Sequence, residues 1–192
     1  IILNLSLTIM LAVFLWWAQG NLDGYKVQVL NLIAVNAILA LSLNLIYGFT
    51  GMFSLGHAGF MAIGAYVSAI LILPAAQKEM MYILEPIIWP FSVLEAPFFV
   101  SVLAGGLVAA ALGLLIALPV LRLGGDYLGI ATLGFAEIIR VVFTNMTPVT
   151  NGALGLKGIP PYADLKWNYF WCILTFYVIV KLLSSNFGNC LK

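Results

Sequence analysis

Long uncharged stretches alternate with short polar segments along this chain of 192 residues. A charge at the centre of a bilayer costs about 2.5–3.5 kcal/mol even on a lenient insertion scale, so the gaps between charges mark candidate membrane spans. About 20 helical residues cross hydrocarbon that is about 30 Å thick. The pattern therefore predicts an all-α, polytopic transmembrane bundle that forms one domain, residues 1–192. Its six predicted spans cover about 1–18, 27–47, 57–73, 98–121, 127–144 and 167–183.

A glycine-rich segment, residues 48–59, interrupts the longest uncharged stretch, which runs from Val27 to Gln77. As a single helix this stretch would be about 76 Å long, so the chain must turn back within it. Irregular backbone at membrane depth is tolerated only where it packs inside protein or lines a cavity. Two interpretations stay open for the segment: a broken or re-entrant helix beside a pathway, or an ordinary tight turn between two spans.

The other connections are predicted from their charges and breakers. Pro74 ends the third span, and residues 75–97 carry four charges and three prolines, which predict an extramembrane or shallow interfacial loop. Residues 147–162 are rich in Gly, Pro, Thr and Asn and predict a second loop. The positive charges on the two sides are too evenly divided to settle the orientation.

A ridge of small side chains runs along the fourth predicted span. Its members recur every four residues, which places them on one narrow helix face, and such a face is typical of helix packing in membranes. The predicted packing positions are Ser101, Gly105, Ala109, Gly113 and Ala117. In the second span, Asn36 and Asn44 are expected to form hydrogen bonds between helices. Aromatic residues within the spans are expected to face lipid or to fill packing gaps.

Glu137 and Arg140 form a charged pair within the fifth predicted span. Their i,i+3 spacing places them on one helix face, and Glu137 lies about 15 Å along the helix, close to mid-bilayer. The pair would either line a path for a zwitterionic solute or hold subunits together. The single histidine would either relay protons or bond a neighbouring group. With the glycine-rich break, the candidate pathway residues are Gly48, Thr50, Gly51, Ser54, Gly56, His57, Glu137 and Arg140.

Composition narrows the classes of function. Hydrophobic residues make up 64% of the chain and charged residues 8%, which excludes a soluble domain, where about a quarter of residues are charged. A net charge of +1 with scattered Lys and Arg excludes a basic stripe for nucleic acid. Cys172 and Cys190 lack the spacing of metal ligands, and no nucleotide, zinc-protease or acyl-transfer motif is found. No cofactor and no enzymatic activity are therefore expected.

Three blocks of sequence resemble the permease subunits of branched-chain amino acid ABC importers. The first reads GFTGMFSLGHAGFMAIGAY at 48–66 and matches the family pattern G-[YF]-T-G-x-x-S-L-G-H-A-x-F-x-x-I-G-A-Y. The second reads LRLGGDYL at 121–128 and TLGFAEIIR at 132–140, and it resembles the LivM-type branch in particular. The third, a glycine-rich loop at 150–160, is similar to the corresponding loop of that branch.

The resemblance implies a multi-pass importer subunit in a bacterial-type cytoplasmic membrane, which moves branched-chain or related amino acids by alternating access. It implies three kinds of partner: a homologous second permease subunit, two cytoplasmic ATPase subunits and a soluble solute-binding protein. The tail at 185–192 is similar to the family segment that opens the ATPase-docking region. Phe187, Gly188 and Lys192 are therefore candidate coupling residues on the cytoplasmic side, and the coupling helix and later spans are expected to be missing from this chain.

Other solutes and mechanisms stay open at this stage. Relatives within the resembled family carry amides, urea or sugars. A stand-alone channel or secondary transporter would also use a broken span and a charged pair within the membrane. A non-transporting assembly fragment is a third alternative.

Overall fold

The computed structural model describes residues 18–82, 86–123, 126–186 and 188. Within these ranges the chain is helical and contains no strand, which confirms the predicted all-α class. It divides into two units, one made of Ile1–Gly51 with Pro161–Lys192 and the other of Met52–Pro160. The helices in chain order are α1 (Gly24–Asn44), α2 (His57–Ile72), α3 (Ala75–Met81), α4 (Phe98–Val120), α5 (Asp126–Asn145), α6 (Thr147–Thr150) and α7 (Leu165–Leu183), with a π-helix at Leu45–Phe49 and a 3-10 helix at Gly152–Leu154.

The described helices offer fewer spans than the six predicted. Three are long and apolar enough to cross a membrane alone: Gly24–Phe49, Phe98–Val120 and Tyr127–Asn145. A fourth is possible if α2 and α3, bent by 114° from one another, count as one broken span. The first predicted span lies almost wholly outside the described residues. The count of six is therefore not confirmed, although the predicted fourth and fifth spans agree with α4 and α5 to within one residue at each end.

In the first unit, α1 packs against α7. The Asn168 side-chain amide donates a hydrogen bond of 3.0 Å to Asn31 Oδ1 across this contact. Asn36 Nδ2 instead donates to the Leu32 carbonyl of its own helix, 2.8 Å away. The prediction that Asn36 bonds between helices is not confirmed, since its amide N–H reaches the carbonyl one turn back on the same helix.

The helix that begins with α1 ends in a widened turn. A Cβ at Gly48 would lie 2.5 Å from Asn44 Oδ1, so glycine leaves room there for the asparagine side chain. The Thr50 hydroxyl donates to the Ile46 carbonyl over 2.6 Å, and Gly51 follows with φ +65°, a left-handed conformation that favours glycine. Helix stops at Phe49 and resumes at His57, so the predicted interruption is present at residues 50–56.

In the second unit, α4 runs antiparallel to α2 along the ridge of small residues. A Cβ at Gly105 would come within 2.6 Å of the Gly64 carbonyl oxygen and still closer to the Ser68 hydroxyl. Further along, Gly113 lies against the ring of Phe60. The absence of side chains at the two α4 glycines lets the helix backbones approach closely, as is typical of membrane helix pairs.

The second unit is completed by α5, which runs parallel to α2. Ala136 lies beside Gly59 at one level, and Phe143 lies beside Tyr66 at another. The connections that follow α2 and α5, residues 73–97 and 146–160, meet at one end of the helices, and we call them the end loops. The Ile88 backbone N–H donates to the Pro148 carbonyl, 3.2 Å away, and joins the two loops.

One end loop contains a helix that the sequence pattern does not predict. Ala75–Met81 forms α3, with Pro74 in extended conformation immediately before it. Charges and prolines predict a loop for 75–97, but Pro74 stands outside the helix, and most of the residues after it are strong helix formers. Lys78 in this helix is 1% exposed.

Candidate functional site

A cleft of about 400 Å³ lies between α2 and α5 in the second unit. Its volume falls within the range of about 300–1,000 Å³ that is usual for small-molecule sites. Both helices supply apolar walls, and the polar side chains that reach the cleft from α5 are charged or hydroxylic. The apolar lining includes Ala58, Ala62, Leu133, Ala136 and Ile139.

Small residues on one face of α2 allow this cleft to form. A Cβ at Gly59 would lie 2.9 Å from Ile139 Cδ1 and 3.1 Å from Ala136 Cα, so α5 can approach only because position 59 has no side chain. Towards the end loops the contact is made by large rings instead, with the centroids of Tyr66 and Phe143 4.7 Å apart. The contact between α2 and α5 beside the cleft is therefore made by small residues near Gly59 and by aromatic rings at Tyr66 and Phe143.

Glu137 and Arg140 stand at the open side of the cleft as a bidentate ion pair. Arg140 Nε donates to Glu137 Oε2 over 2.9 Å, and Arg140 Nη2 donates to Glu137 Oε1 over 2.6 Å. The Arg140 and Glu137 side chains are 70% and 54% exposed, on a helix long and apolar enough to span a membrane. Charged groups cannot face acyl chains at low cost, so this side of α5 must meet water or another protein surface.

The arrangement suits a zwitterion with an apolar body. A carboxylate accepts hydrogen bonds from an ammonium group, and a guanidinium donates two parallel bonds to a carboxylate. The two charged ends of an amino acid could thus exchange with the two ends of the ion pair while its side chain lies along the apolar walls. A third polar residue, Thr144, lines the cleft one turn beyond Arg140.

Thr132 fastens the broken segment to α5 at the other end of the cleft. The Leu55 backbone N–H donates to Thr132 Oγ1 over 2.9 Å, and the Thr132 hydroxyl lies 3.0 Å from the Gly129 carbonyl oxygen. Gly56 is buried beside Thr132, and the Phe53 ring fills the space where Gly129 has no side chain. The break therefore contacts α5 through the Leu55 N–H, Gly56 and the Phe53 ring, whereas Met52 is exposed.

The predicted pathway residues divide between the two units. Gly48, Thr50 and Gly51 belong to the first unit, and Ser54, Gly56, His57, Glu137 and Arg140 belong to the second. Within the second unit, Glu137 and Arg140 line the cleft, whereas Ser54 and His57 are half-buried near its Leu55 end and do not line it. The structure thus brings two of the predicted residues together in one cavity.

The predicted coupling residues lie at the end of the chain. Phe187 and Lys192 are outside the described residues. Gly188 is buried against the end of α7, where a Cβ would collide with the Leu183 carbonyl.

The predicted packing positions have different surroundings. The Ser101 hydroxyl donates to the carbonyls of Ala96 and Pro97 at the start of α4, over 3.2 and 3.1 Å. Gly105, Ala109 and Gly113 face α2. Ala117 is half-buried.

Sequence reasoning missed the aromatic and small residues that shape the cleft, namely Gly59, Tyr66, Thr132 and Phe143. For the α2 residues a signal was present in the spacing: positions 59, 62 and 66 recur every three or four residues and so share one face of α2. Among the residues that the structure describes, no group of three or more His, Cys, Asp or Glu side chains could hold a metal ion.

Comparison with known proteins gives a consistent family assignment. A protein family described as "Branched-chain amino acid transport system / permease component" matches residues 25–191. The "High-affinity branched-chain amino acid transport system permease protein LivM" of Escherichia coli (strain K12) is 40% identical over 134 residues, which cover 70% of this chain and 27% of the relative. The protein of the same description from Salmonella typhimurium (strain LT2) is 39% identical over 135 residues, with the same shares. The chain thus spans about a quarter of the length of these relatives, and no solved structure matches it significantly.

Proposed function

The chain belongs to the family of branched-chain amino acid transport system permease components, and we propose that it forms part of a permease subunit that moves branched-chain or related amino acids across a bacterial-type cytoplasmic membrane. The observation that carries this proposal is the cleft between α2 and α5. It combines apolar walls with one carboxylate and one guanidinium on a helix that can span the bilayer.

The cleft supports the substrate class because the chemistry of the two matches. A branched-chain amino acid has an ammonium group, a carboxylate and an aliphatic side chain. Glu137 and Arg140 offer a partner for each charge, and the alanine, leucine and isoleucine side chains offer an apolar surface. The internal ion pair also keeps the empty cleft close to neutral, which lowers the cost of two charges within the membrane.

Transport through such a cleft needs access from each side in turn. We assign the energy for this change to two cytoplasmic ATPase subunits, with a homologous second permease subunit beside this one and a soluble solute-binding protein that delivers the amino acid. A second permease would also cover the exposed side of the ion pair. Gly48, Thr50, Gly51, Ser54, Gly56 and His57 are proposed to supply a break where the backbone can bend as access alternates. Phe187, Gly188 and Lys192 are proposed to transmit the motion of the ATPases.

Replacement of Glu137 tests the position of the pathway. In the intact importer, reconstituted in proteoliposomes with its ATPases and binding protein, Glu137→Gln is expected to lower ATP-dependent leucine uptake at least several-fold. The physical reason is that the variant keeps the shape of the side chain but loses the charge that binds the ammonium group. Uptake of labelled leucine, co-purification of the subunits and ATP hydrolysis are measured in parallel.

A second ion pair of the same spacing provides the matched control. Lys26 Nζ lies 3.3 Å from Asp23 Oδ2 at the start of α1, and both side chains are exposed. Asp23→Asn removes a carboxylate in the same way and is expected to leave uptake unchanged, because exposed pairs contribute little. Unchanged leucine uptake by Glu137→Gln would remove the residue from the pathway, and loss of subunit co-purification would make it an interface residue instead.

A further inference from the structure

A second cavity, of about 270 Å³, adjoins α2 at the end loops. Ala65, Tyr66 and Ala69 of α2 form one side of it. Gly155, Leu156 and Ile159 of the end loop form the other side. Its walls are apolar apart from backbone groups and the Tyr66 hydroxyl, so its chemistry continues that of the cleft's apolar walls.

The two cavities follow one another along α2. On α2 the cleft is lined by residues from Ala58 to Tyr66, and the second cavity by residues from Ala65 to Ala69. At 1.5 Å per residue, Tyr66 lies about 12 Å along the helix from Ala58, and Ala69 lies about 4.5 Å beyond Tyr66. Tyr66 lines both cavities, so the boundary between them lies at this side chain.

The boundary consists of two rings rather than of backbone. The Tyr66 and Phe143 rings have centroids 4.7 Å apart at an angle of 46°, and Phe143 also lines the cleft. Both side chains are half-buried, and they come from different helices. Rotation about side-chain bonds can therefore open a connection without moving either helix, and such rotations are fast for residues that are not fully packed.

The loop on the far side of the second cavity contains two glycines in left-handed conformations. Gly155 has φ +66° and Gly158 has φ +70°, and a Cβ at either position would have no neighbour within 4 Å. The backbone at these positions is thus shaped by glycine rather than by tight packing. The second cavity therefore has a glycine-containing loop without tight packing at Gly155 and Gly158 on one side, and the ring pair on the other.

We propose that the Tyr66–Phe143 ring pair is the gate between the amino acid cleft and a second cavity at the end loops, through which an aliphatic amino acid passes. This proposal rests on the proposed function, since it assigns a gate to the same pathway. With the rings in contact, the cleft is closed towards the end loops. When the rings part, the two cavities join into a continuous apolar passage.

Removal of one ring tests the gate. In the intact importer in proteoliposomes preloaded with labelled leucine and lacking ATP, Phe143→Ala is expected to raise passive efflux several-fold over the parent importer. Phe60→Ala is the matched control, because Phe60 lies on α2, is also half-buried, and packs against Gly113 outside both cavities.

Each outcome decides between the gate and its alternatives. Efflux from Phe143→Ala that does not exceed that of Phe60→Ala, in subunits that co-purify normally, overturns the proposal. If Phe143→Ala does not assemble, the milder Phe143→Leu is used instead. Leucine efflux from Phe143→Leu that equals that of the parent importer likewise overturns the gate proposal. A parent importer that takes up no branched-chain amino acid contradicts the proposed function. Normal uptake by the parent, together with no increase in leucine efflux from Phe143→Ala, contradicts the gate alone.

Discussion

Lys78 shows how a single charged residue is accommodated in a largely apolar chain. Its Nζ donates to the Phe91 carbonyl over 2.9 Å and to the Leu94 carbonyl over 2.6 Å. Burial lowers the pKa of Lys78, and the nearby carboxylate of Glu95 partly offsets that effect. Glu95 also accepts a hydrogen bond from the Ala75 N–H at the start of α3. One lysine and one glutamate thus tie a short helix to the loop that follows it.

Tyr82 gives a residue-scale prediction for the dependence of stability on pH. Its hydroxyl donates to the Val149 carbonyl in the other end loop, and burial, with a smaller effect from Tyr66, raises the pKa of Tyr82 to about 12. Because the pKa in the folded state lies above the ordinary value of 10.0, the contribution of Tyr82 to stability is complete below pH 10 and is lost as pH rises through about 12. We expect Tyr82→Phe to lower stability by about 1 kcal/mol at neutral pH.

The measurement is the thermal unfolding midpoint of the purified permease, followed from neutral to strongly alkaline pH. The parent protein should lose stability more steeply than Tyr82→Phe above pH 10. The control is Tyr25→Phe, since Tyr25 is 78% exposed. Parallel curves for the parent and Tyr82→Phe would show that this hydroxyl does not join the end loops.

At the scale of helices, the contact between α2 and α4 depends on a missing side chain. Gly105→Ala would place a Cβ within 2.6 Å of the Gly64 carbonyl oxygen and even closer to the Ser68 hydroxyl. Backbone cannot yield as a flexible side chain can, so the helices must separate, and overpacking of this kind costs about 1–3 kcal/mol. We expect a clear fall in the thermal unfolding midpoint of the purified permease.

The neighbouring glycine offers a control of the same chemistry. A Cβ at Gly106 would meet nothing within 4 Å, so Gly106→Ala is expected to be neutral or slightly stabilising, because alanine favours helix. Equal midpoints for the two variants would show that the ridge does not carry the packing of α2 on α4.

Helices were predictable from this sequence where hydropathy alone decides them. The bounds of α4 and α5 follow from the charged residues and prolines that flank the uncharged stretches, and the interruption after Phe49 follows from the glycine-rich segment. Helix α3 was missed because the charges and prolines of residues 75–97 indicate a loop, although residues 75–81 themselves are strong helix formers. The Asn31–Asn168 pair was missed for a related reason: its partners are 137 residues apart, and only tertiary packing brings them together.

For the whole molecule, the strongest expectation is that α4 faces lipid on the side opposite its ridge. Leu107 is 64% exposed near the middle of a helix of 23 residues. Leu107→Asp should therefore cost about 2.5–3.5 kcal/mol of membrane insertion free energy, since the carboxylate would enter hydrocarbon. The check is a glycosylation-based insertion assay of the full chain.

A leucine in an end loop serves as the comparison. Leu154 is 53% exposed and lies in the short 3-10 helix, outside the spans. Leu154→Asp should leave insertion unchanged because a loop carboxylate stays in water. Normal insertion of Leu107→Asp would mean that this side of α4 is covered by protein.

The cleft could be anticipated only in part from the sequence. Glu137 and Arg140 stand out because charges are rare within spans, and their spacing predicts that they meet. Tyr66 and Phe143 do not stand out, because aromatic residues are common in membrane helices and 77 positions separate these two. The parallel packing of α2 and α5, which the sequence pattern does not specify, is what places them against each other.

The burial of Lys78 has a practical consequence for mapping sidedness by chemistry. A reagent that acylates primary amines needs a neutral, accessible amine, and the Lys78 amine is 1% exposed with two carbonyl partners. Lys157, in the other end loop, is exposed and should react when reagent is added on that side. Failure of Lys78 to react would therefore mean that its own loop shields the amine, and it would not show that Lys78 lies on the opposite side of the membrane.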